Sequence, residues 1–154
     1  MPSTDSKKIK IIIADDHPLF RRGLKHAIEE TSDIEVIGES CNGEDLLSLI
    51  RDSKPNIILL DIAMPGKSGL DLLKQLKNEH PKLPILILSV YPEEQYAIRF
   101  LKAGASGYLT KESVAEKLAE AIRKIVGGGK YASTAIIEKL AFDFSDSEKL
   151  PHEN

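Results

Sequence analysis

Asn56-Ile57-Ile58-Leu59-Leu60-Asp61 is the stretch of sequence that decides the fold, and Ile62-Ala63-Met64-Pro65-Gly66 follows it directly. An apolar run that ends in a carboxylate, before a loop with proline and glycine, is typical of a buried strand that brings its last residue to a sheet edge. A single aspartate in such a place is more often a turn residue than a functional one. Three other places, Asp15-Asp16, Ser89 and Lys111, lie at or just past the ends of other apolar runs and favour a functional interpretation.

The rest of the chain predicts an alternation of strands and helices. Short strands joined by long connections indicate parallel pairing with right-handed crossovers. The predicted fold is therefore a doubly wound α/β structure, a five-stranded parallel sheet with helices on both faces, whose ligand site lies at the carboxyl ends of the strands. The predicted strands are 9–14, 34–40, 56–61, 85–89 and 107–110, and the predicted helices are 18–31, 44–53, 69–79, 92–103, 114–126 and 133–140.

Three segments are predicted along the chain. Residues 1–8 are polar and are expected to be a disordered lead-in, whereas residues 9–127 are expected to form the domain. Residues 128–154 are predicted to be an extension that contains a short helix, with a polar linker over 143–154.

Composition and charge exclude several classes of protein. The 154 residues are 42% hydrophobic and 29% charged, with a formal net charge of -3 and no clustering of Lys and Arg, so nucleic-acid binding by this chain is not predicted. The start has no apolar signal-peptide core, and no run approaches membrane-spanning length. Cys41 is the only cysteine and has no partner for an internal disulfide. We expect a cytoplasmic protein without a membrane partner.

The strand ends carry a combination of groups with a defined chemistry. In a doubly wound sheet, Asp15-Asp16, Asp61, Ser89 and Lys111 would open on the same edge. Three carboxylates there repel one another unless a cation lies among them, and their oxygen atoms suit Mg²⁺, with Mn²⁺ as a possible substitute. A hydroxyl and an ammonium group suit the oxygens of a phosphoryl group. Asp61 lies centrally and is therefore the predicted nucleophile, which would become an acyl phosphate.

At these residues the chain resembles the receiver domain of a bacterial two-component response regulator. The resemblance covers 9–127 and implies a flavodoxin-like sheet with the strand order 2-1-3-4-5. Asp15-Asp16-His17-Pro18 and the run from Gly104 to Leu109 further resemble the NarL/FixJ, or LuxR-like, class, which carries a helix-turn-helix effector domain. The matching pieces are Ala14-Asp15-Asp16-His17, Leu60-Asp61-Ile62-Ala63-Met64-Pro65-Gly66, Leu88-Ser89 and Gly104-Ala105-Ser106-Gly107-Tyr108-Leu109-Thr110-Lys111.

The resemblance implies a role for each site residue. Asp61 would be the phosphoacceptor and would ligate Mg²⁺ with Asp16, while Asp15 would help through water and Ala63 through its backbone carbonyl. Lys111 would pair with the phosphoryl group. Ser89 would be the hydroxyl that moves toward that group, and Tyr108 the aromatic switch that follows.

The resemblance also implies partners and a regulatory role. The phosphoryl donor would be a sensor histidine kinase, with slow self-phosphorylation and self-dephosphorylation besides. A homodimer through the first and fifth helices is a further expectation. The protein would control transcription through a DNA-binding domain outside this chain, with 143–154 leading to it, so this domain itself is regulatory and not an enzyme.

Two positions depart from the family's common pattern. Many receivers have a proline in a cis peptide after the lysine, but here Glu112 follows Lys111, so a trans bond is expected. The residue after the hydroxyl is usually very small, but here it is Val90, which is predicted to narrow access to Asp61. Tyr91 is a second candidate for covering that access.

Alternative interpretations accompany these assignments. Ser89 and Lys111 taken singly would be ordinary surface residues, and Tyr108 a half-buried strand aromatic. His17 is interpreted as a local hydrogen-bonding residue in preference to a phosphodonor or metal ligand. A stand-alone receiver, acting as a phosphorelay or protein-binding module, is the alternative function. An aspartyl phosphatase is disfavoured because Ala63 stands where such enzymes commonly have a second acid.

Overall fold

The structure is a computed structural model that describes residues 8–64 and 66–149. In this part of the chain, five strands and six helices follow one another. The strands are β1 (Ile9–Ala14), β2 (Ile34–Ser40), β3 (Ile57–Asp61), β4 (Ile85–Ser89) and β5 (Gly107–Thr110). The helices are α1 (Pro18–Glu29), α2 (Gly43–Ser53), α3 (Gly69–Glu79), α4 (Glu93–Lys102), α5 (Val114–Val126) and α6 (Thr134–Lys149).

The strands form one parallel sheet in the order β2-β1-β3-β4-β5, which confirms the predicted fold. β3 lies in the middle, between β1 and β4. The register aligns Asp61 with Leu88 and Ser89 with Thr110, so the last residues of neighbouring strands reach the same edge. This alignment places the polar strand ends together.

Alternate residues of the strands supply the two halves of the core. Successive side chains of a strand point to opposite faces, and both faces of this sheet are covered by helices. Ile11 and Ile13 lie in one apolar cluster with residues of α1 and α5, whereas Ile12 lies in the other cluster with residues of α2, α3, α4 and α6. The apolar runs that indicated buried strands are therefore explained by burial on both faces.

Several helix boundaries differ slightly from the predicted ones; α4, for example, spans Glu93–Lys102 and not 92–103. α1 ends at Glu29 and not at residue 31, where the Thr31 hydroxyl donates to the Ile28 carbonyl at 2.6 Å. α2 begins at Gly43, one residue early, because the Asn42 side chain caps it by accepting from the Asp45 N–H at 2.9 Å.

The predicted linker from residue 143 onward is wrong as far as Lys149, because α6 runs from Thr134 to Lys149. Its predicted end at Leu140 followed from the polar composition of the residues beyond. In the structure, Ile136 and Leu140, four residues apart, are buried in the core, and one turn further on Asp143 Oδ2 lies 3.3 Å from Lys102 Nζ of α4. Polar residues are compatible with a helix whose other side faces solvent.

Some predictions concern residues outside the described ranges. The predicted disordered lead-in lies almost entirely in residues 1–7, and the end of the predicted linker lies in residues 150–154; both segments are outside the described residues. Within the described residues, no helix combines the length and the apolar composition needed to cross a membrane.

Candidate functional site

The predicted site residues gather at the carboxyl edge of the sheet. Asp15, Asp61 and Ser89 are almost fully buried, and the side chains of Asp16 and Lys111 are 30% and 13% exposed. β1 brings in the two adjacent acids, β3 the central one, β4 the serine and β5 the lysine. The strand-end positions identified in the sequence are therefore brought together.

Backbone groups hold one oxygen of each buried acid. Asp15 Oδ1 accepts from the His17 N–H at 2.6 Å, and Asp61 Oδ1 accepts from the Ala63 N–H at 3.0 Å. Both are turns in which an aspartate bonds the backbone two residues ahead. In each case the second oxygen, Oδ2, remains directed at the other charged groups. That the Ala63 carbonyl ligates a metal stays a prediction.

Lys111 supplies the positive charge of the site. Its Nζ donates to Asp61 Oδ2 at 3.1 Å and forms an ion pair with Asp15 Oδ2 at 3.0 Å. The same Nζ lies 4.4 Å from the centroid of the Phe20 ring, a cation–π distance. The Lys111 N–H donates to the Ser89 carbonyl at 2.8 Å, which fixes the start of the loop. The peptide bond to Glu112 is trans, as predicted.

His17 lies nearer to the acids than the sequence indicated. Its backbone makes the predicted local hydrogen bond, but its Nδ1 is also 3.2 Å from Asp16 Oδ1, 3.3 Å from Asp15 Oδ1 and 3.5 Å from Asp61 Oδ2. The ring is 58% exposed, so it covers the acids from the solvent side. The position of His17 between Asp16 and Pro18 indicates that it precedes the first helix. That position does not indicate that the ring turns back over the acids.

The acidic residues have the arrangement of a cation site. One ligand atom each from Asp15, Asp16, His17 and Asp61 lie within 4.8 Å of one another. Asp15 Oδ2 and Asp16 Oδ1 are buried and have no hydrogen-bond partner among the described residues, although Asp15 Oδ2 faces the Lys111 ammonium and Asp16 Oδ1 faces the His17 ring. Three carboxylates against one ammonium leave an excess of negative charge, and such an oxygen-rich set fits a hard divalent cation.

Ser89 at the end of β4, Tyr91 after it and Tyr108 of β5 form a second hydrogen-bonded group. Ser89 Oγ accepts from the Tyr91 N–H at 2.9 Å, and the Tyr108 hydroxyl donates to the Tyr91 carbonyl at 2.9 Å. Tyr108 is only 1% exposed, and this burial raises the pKa of its hydroxyl above the ordinary value. The ring is thus already inside, and no phosphoryl group is needed to draw it in.

Val90 and Tyr91 lie on the surface beside this group. Val90 is 68% exposed and Tyr91 is 45% exposed. Val90 therefore does not point into the core. Its exposure is compatible with the predicted effect on access to Asp61, which stays a prediction.

Comparison with known proteins identifies relatives of this chain. A family model described as the response regulator receiver domain matches residues 11–123. Response regulator GacA of Pseudomonas aeruginosa is 35% identical over 133 residues, which are 86% of this chain and 62% of that protein. Transcriptional regulatory protein DegU of Brevibacillus brevis is 36% identical over 140 residues, which are 91% of this chain and 59% of that protein. The chain spans about three fifths of the length of these curated relatives.

A solved structure of a response regulator is also similar to this chain. The two-component response regulator of the LuxR family from Aurantimonas sp. SI85-9A1 has a TM-score of 0.79 to this chain at 29% identity, and the match covers 90% of this chain and 99% of that one. The receiver-domain family model covers most of the chain, and the acids, the hydroxyl and the lysine of this chain lie together at the carboxyl ends of the strands. The chain therefore belongs to the response regulator receiver domain family, in the NarL/FixJ or LuxR-like class.

Proposed function

We propose that Asp61 accepts a phosphoryl group from a phosphohistidine of a sensor histidine kinase, and that this domain thereby acts as a regulatory switch. The observation that carries the proposal is the environment of the Asp61 carboxylate. It is 1% exposed and lies centrally at the sheet edge, with Oδ1 bound by the Ala63 N–H and Oδ2 facing the Lys111 ammonium at 3.1 Å. One oxygen is thus fixed by the backbone while the other faces a group that suits a phosphoryl oxygen.

The proposed Mg²⁺ site, which Mn²⁺ could also occupy, consists of the carboxylates of Asp15, Asp16 and Asp61 and the backbone carbonyl of Ala63. The support is the chemistry of the donor set, which is made of oxygens, together with the two buried oxygens of Asp15 and Asp16 that lack a hydrogen-bond partner among the described residues. When bound, the ion neutralises part of the negative charge of the acids and of the transferred group.

The transfer uses the side chains in distinct roles. Asp61 Oδ2 attacks phosphorus, the phosphorus–nitrogen bond of the donor breaks, and the imidazole nitrogen keeps the bonding electron pair. With acetyl phosphate as donor, a phosphorus–oxygen bond breaks and acetate leaves. Lys111 donates hydrogen bonds to the phosphoryl oxygens, and the Ser89 hydroxyl donates another. Slow attack of water then releases inorganic phosphate and restores the Asp61 carboxylate.

The proposal is tested by mass spectrometry after incubation with acetyl phosphate and Mg²⁺. We expect the chain to gain one phosphoryl mass and the Asp61→Asn variant to gain none. Asp52→Asn is a matched control because Asp52 is an exposed aspartate of α2, and it should gain the same mass as the unmodified sequence. Labelling of Asp61→Asn at the normal level would contradict the proposal.

Phosphorylation would be read out through Ser89 and Tyr108. A phosphoryl group adds about -1.5 to -2 charges and strong acceptor oxygens beside Asp61, which attract the Ser89 hydroxyl. Ser89 Oγ also holds the Tyr91 N–H at 2.9 Å. Movement of Ser89 would therefore shift Tyr91, the partner of the Tyr108 hydroxyl, and the proposed switch is a repacking of residues 89–91 around a ring that is already buried.

The complete protein would control transcription through a helix-turn-helix domain beyond this chain. The relatives named above are a response regulator and a transcriptional regulatory protein, and they are longer than the match. Because specific DNA binding needs cationic and groove-reading side chains, residues 1–154 alone should show no sequence-dependent binding in a gel shift. Sub-micromolar, sequence-dependent binding by this chain would contradict the assignment of DNA binding to another domain.

Self-association through α1 and α5 is a further proposal. These helices pack against each other, and Leu19 of α1 and Val126 of α5 are apolar residues with 79% and 39% exposure. Sedimentation of the beryllofluoride-treated chain should reveal a dimer that Val126→Asp weakens. A monomer at all concentrations would contradict it.

A further inference from the structure

The imidazole of His17 is directed at the three acids of the site. Its Nδ1 lies 3.2 Å from Asp16 Oδ1, 3.3 Å from Asp15 Oδ1 and 3.5 Å from Asp61 Oδ2. The hydrogen bond of His17 to Asp15 is made by the backbone N–H and does not use the ring. His17 is also the N-cap residue of α1, but its side chain makes no cap hydrogen bond. Neither the turn nor the helix start therefore accounts for the direction of the ring.

The contact between Lys111 and the ring shows which tautomer faces the acids. Lys111 Nζ and His17 Nδ1 form a hydrogen bond of 3.4 Å. An ammonium group has only donors, so Nδ1 is the acceptor in this bond and the ring proton is on Nε2. Nδ1 thus offers a lone pair toward the acids, and this is the form in which an imidazole nitrogen binds a metal ion.

Two carboxylate oxygens beside this nitrogen lack hydrogen-bond partners. Asp16 Oδ1 is buried and accepts no hydrogen bond among the described residues, although Nδ1 is only 3.2 Å away. The side chain of Asp15 is completely buried, and its Oδ2 also lacks a hydrogen-bond partner there, although it faces the Lys111 ammonium at 3.0 Å. Oxygen and nitrogen atoms that all offer lone pairs repel one another, and a cation bound to them removes the repulsion. The nitrogen therefore belongs to the same candidate cation site as the acids.

The spacing of these atoms fits ligands of a single ion. Metal–ligand distances of about 2.0–2.2 Å place neighbouring ligands at right angles roughly 3 Å apart. The separations of Nδ1 from the three acids, between 3.2 and 3.5 Å, are slightly longer than this. The His17 side chain is 58% exposed, so a small inward movement of the ring meets little resistance from packing.

A nitrogen ligand changes which ion the site prefers. Mg²⁺ prefers oxygen ligands and retains several waters. At sites with nitrogen and oxygen ligands, affinity rises from Mn²⁺ through Co²⁺ to Ni²⁺, and imidazole suits the later ions of this series. An imidazole among the acids therefore adds affinity for these ions and none for Mg²⁺.

We propose that His17 Nδ1 is a nitrogen ligand of the metal site and that it makes the site prefer a first-row transition-metal ion, such as Co²⁺ or Ni²⁺, to Mg²⁺. The inference rests on the proposed function, because the other ligands are the acids of the proposed Mg²⁺ site. His17 is then the residue that determines metal specificity, whereas the acids provide the affinity that all divalent cations share. Loss of the ring should weaken the binding of transition-metal ions selectively.

The ligand itself is tested by pulsed electron paramagnetic resonance of Mn²⁺ bound to residues 1–154. A directly bound imidazole nitrogen modulates the electron spin echo of Mn²⁺, and carboxylate oxygens do not. We expect nitrogen modulation in the unmodified chain and none in His17→Ala. His26→Ala is the matched control, because His26 is a 77% exposed histidine of α1, and it should keep the modulation. Bound Mn²⁺ without modulation in the unmodified chain, or modulation that persists in His17→Ala, would overturn the inference and leave the proposed function intact.

The preference is tested by titration calorimetry with Co²⁺ and Mg²⁺. Groups that only support metal ligands typically contribute 10–100-fold in affinity, so loss of a direct ligand in His17→Ala should lower Co²⁺ affinity at least about tenfold. Mg²⁺ affinity should change less than about twofold, since water replaces the nitrogen. Thermal unfolding confirms that the variant remains folded. An equal fall for both ions would overturn the inference, because the ring would then act only by positioning the acids. Absence of Mg²⁺ and Mn²⁺ binding to the unmodified chain would contradict the proposed metal site itself.

Discussion

The two halves of the site are held in different ways. The acidic half consists of Asp15, Asp16 and Asp61, and the hydroxyl half consists of Ser89, Val90, Tyr91 and Tyr108. In the acidic half, backbone N–H groups two residues ahead bind the buried carboxylates, and Lys111 lies between Asp15 and Asp61. In the hydroxyl half, Ser89 and Tyr108 meet through the backbone of Tyr91, which is itself 45% exposed. The buried acids are thus held by the backbone and by Lys111, whereas the hydroxyl half is the part in which the proposed switch would act. Substitutions in the acidic half should therefore affect metal binding and phosphoryl transfer. Substitutions in the hydroxyl half should affect the rate of that transfer and the structural change that follows it.

Asp16→Asn should produce the largest effect. It removes a proposed metal ligand, and because even residues that only support metal ligands typically contribute 10–100-fold in affinity, we expect Mg²⁺ binding to weaken on the order of 100-fold or more. Without metal, the same variant should be more stable toward urea by about 1 kcal/mol, since one of three crowded negative charges is lost. Titration calorimetry and urea unfolding measure the two effects. If Asp16→Asn is instead less stable without metal, repulsion among the three acids does not destabilise the metal-free protein, and the expectation is wrong.

Ser89→Ala should have the next largest effect. It leaves the acidic half intact, so Asp61 should still be labelled, but it removes one donor to the phosphoryl oxygens. A hydrogen bond to a charged group contributes about 1.5 kcal/mol, so labelling by acetyl phosphate should slow about tenfold. Ser89→Thr keeps the hydroxyl and serves as the control. Complete loss of labelling in Ser89→Ala would mean that the serine belongs with the acidic half.

Val90→Gly should increase rates several-fold. If the exposed, stiff side chain of Val90 crowds the approach to Asp61, its removal should speed both labelling by acetyl phosphate and loss of the phosphoryl group, by about 1 kcal/mol in each barrier. Val90→Thr preserves the branched shape and should behave like the unmodified chain. Both rates are measured by mass spectrometry beside the thermal midpoint. Unchanged rates in Val90→Gly would assign Val90 no role in access.

Phe20→Leu should have the smallest effect. The Phe20 ring lies 4.4 Å from Lys111 Nζ, and a partly exposed contact of this kind contributes about 0.5–1 kcal/mol. We expect labelling by acetyl phosphate to slow two- to threefold, because Lys111 is then held less firmly between the acids. Leu19→Ala, a change at an exposed neighbour in α1, is the control for general effects on the helix. An unchanged rate in Phe20→Leu would show that the two acids alone position the lysine.

The sheet and the position of the acids could be predicted because burial leaves a direct pattern in the sequence. Strands covered on both faces are nearly continuous apolar runs, and a carboxylate at the end of such a run, as at Asp61, stands out. The register then follows from parallel packing and brings the strand ends together. The strand order and the family were indicated by the resemblance and are confirmed by the sheet and by the relatives.

The features that could not be predicted depend on side-chain direction or on contacts between distant residues. The ring of His17 turns over the acids, and nothing in its sequence neighbours specifies that orientation. Tyr108 is buried in the apolar cluster, and the carbonyl of Tyr91, distant in sequence, accepts its hydroxyl. Beyond its predicted end, α6 contacts α4 through the pair Lys102 and Asp143, which are far apart in the sequence. Propensity and periodicity describe local preference, and such tertiary contacts override it.

The position of β5 at the edge of the sheet has a consequence for solubility. β5 is an edge strand, and an edge strand with free backbone groups can pair with the strand of another molecule. Tyr131 uses the N–H of Tyr108 and the carbonyl of Ser106, so part of this edge is blocked. Release of Tyr131 would open it to intermolecular pairing. A chain truncated before Tyr131 should therefore aggregate more readily than one that retains it, even where the candidate site is complete.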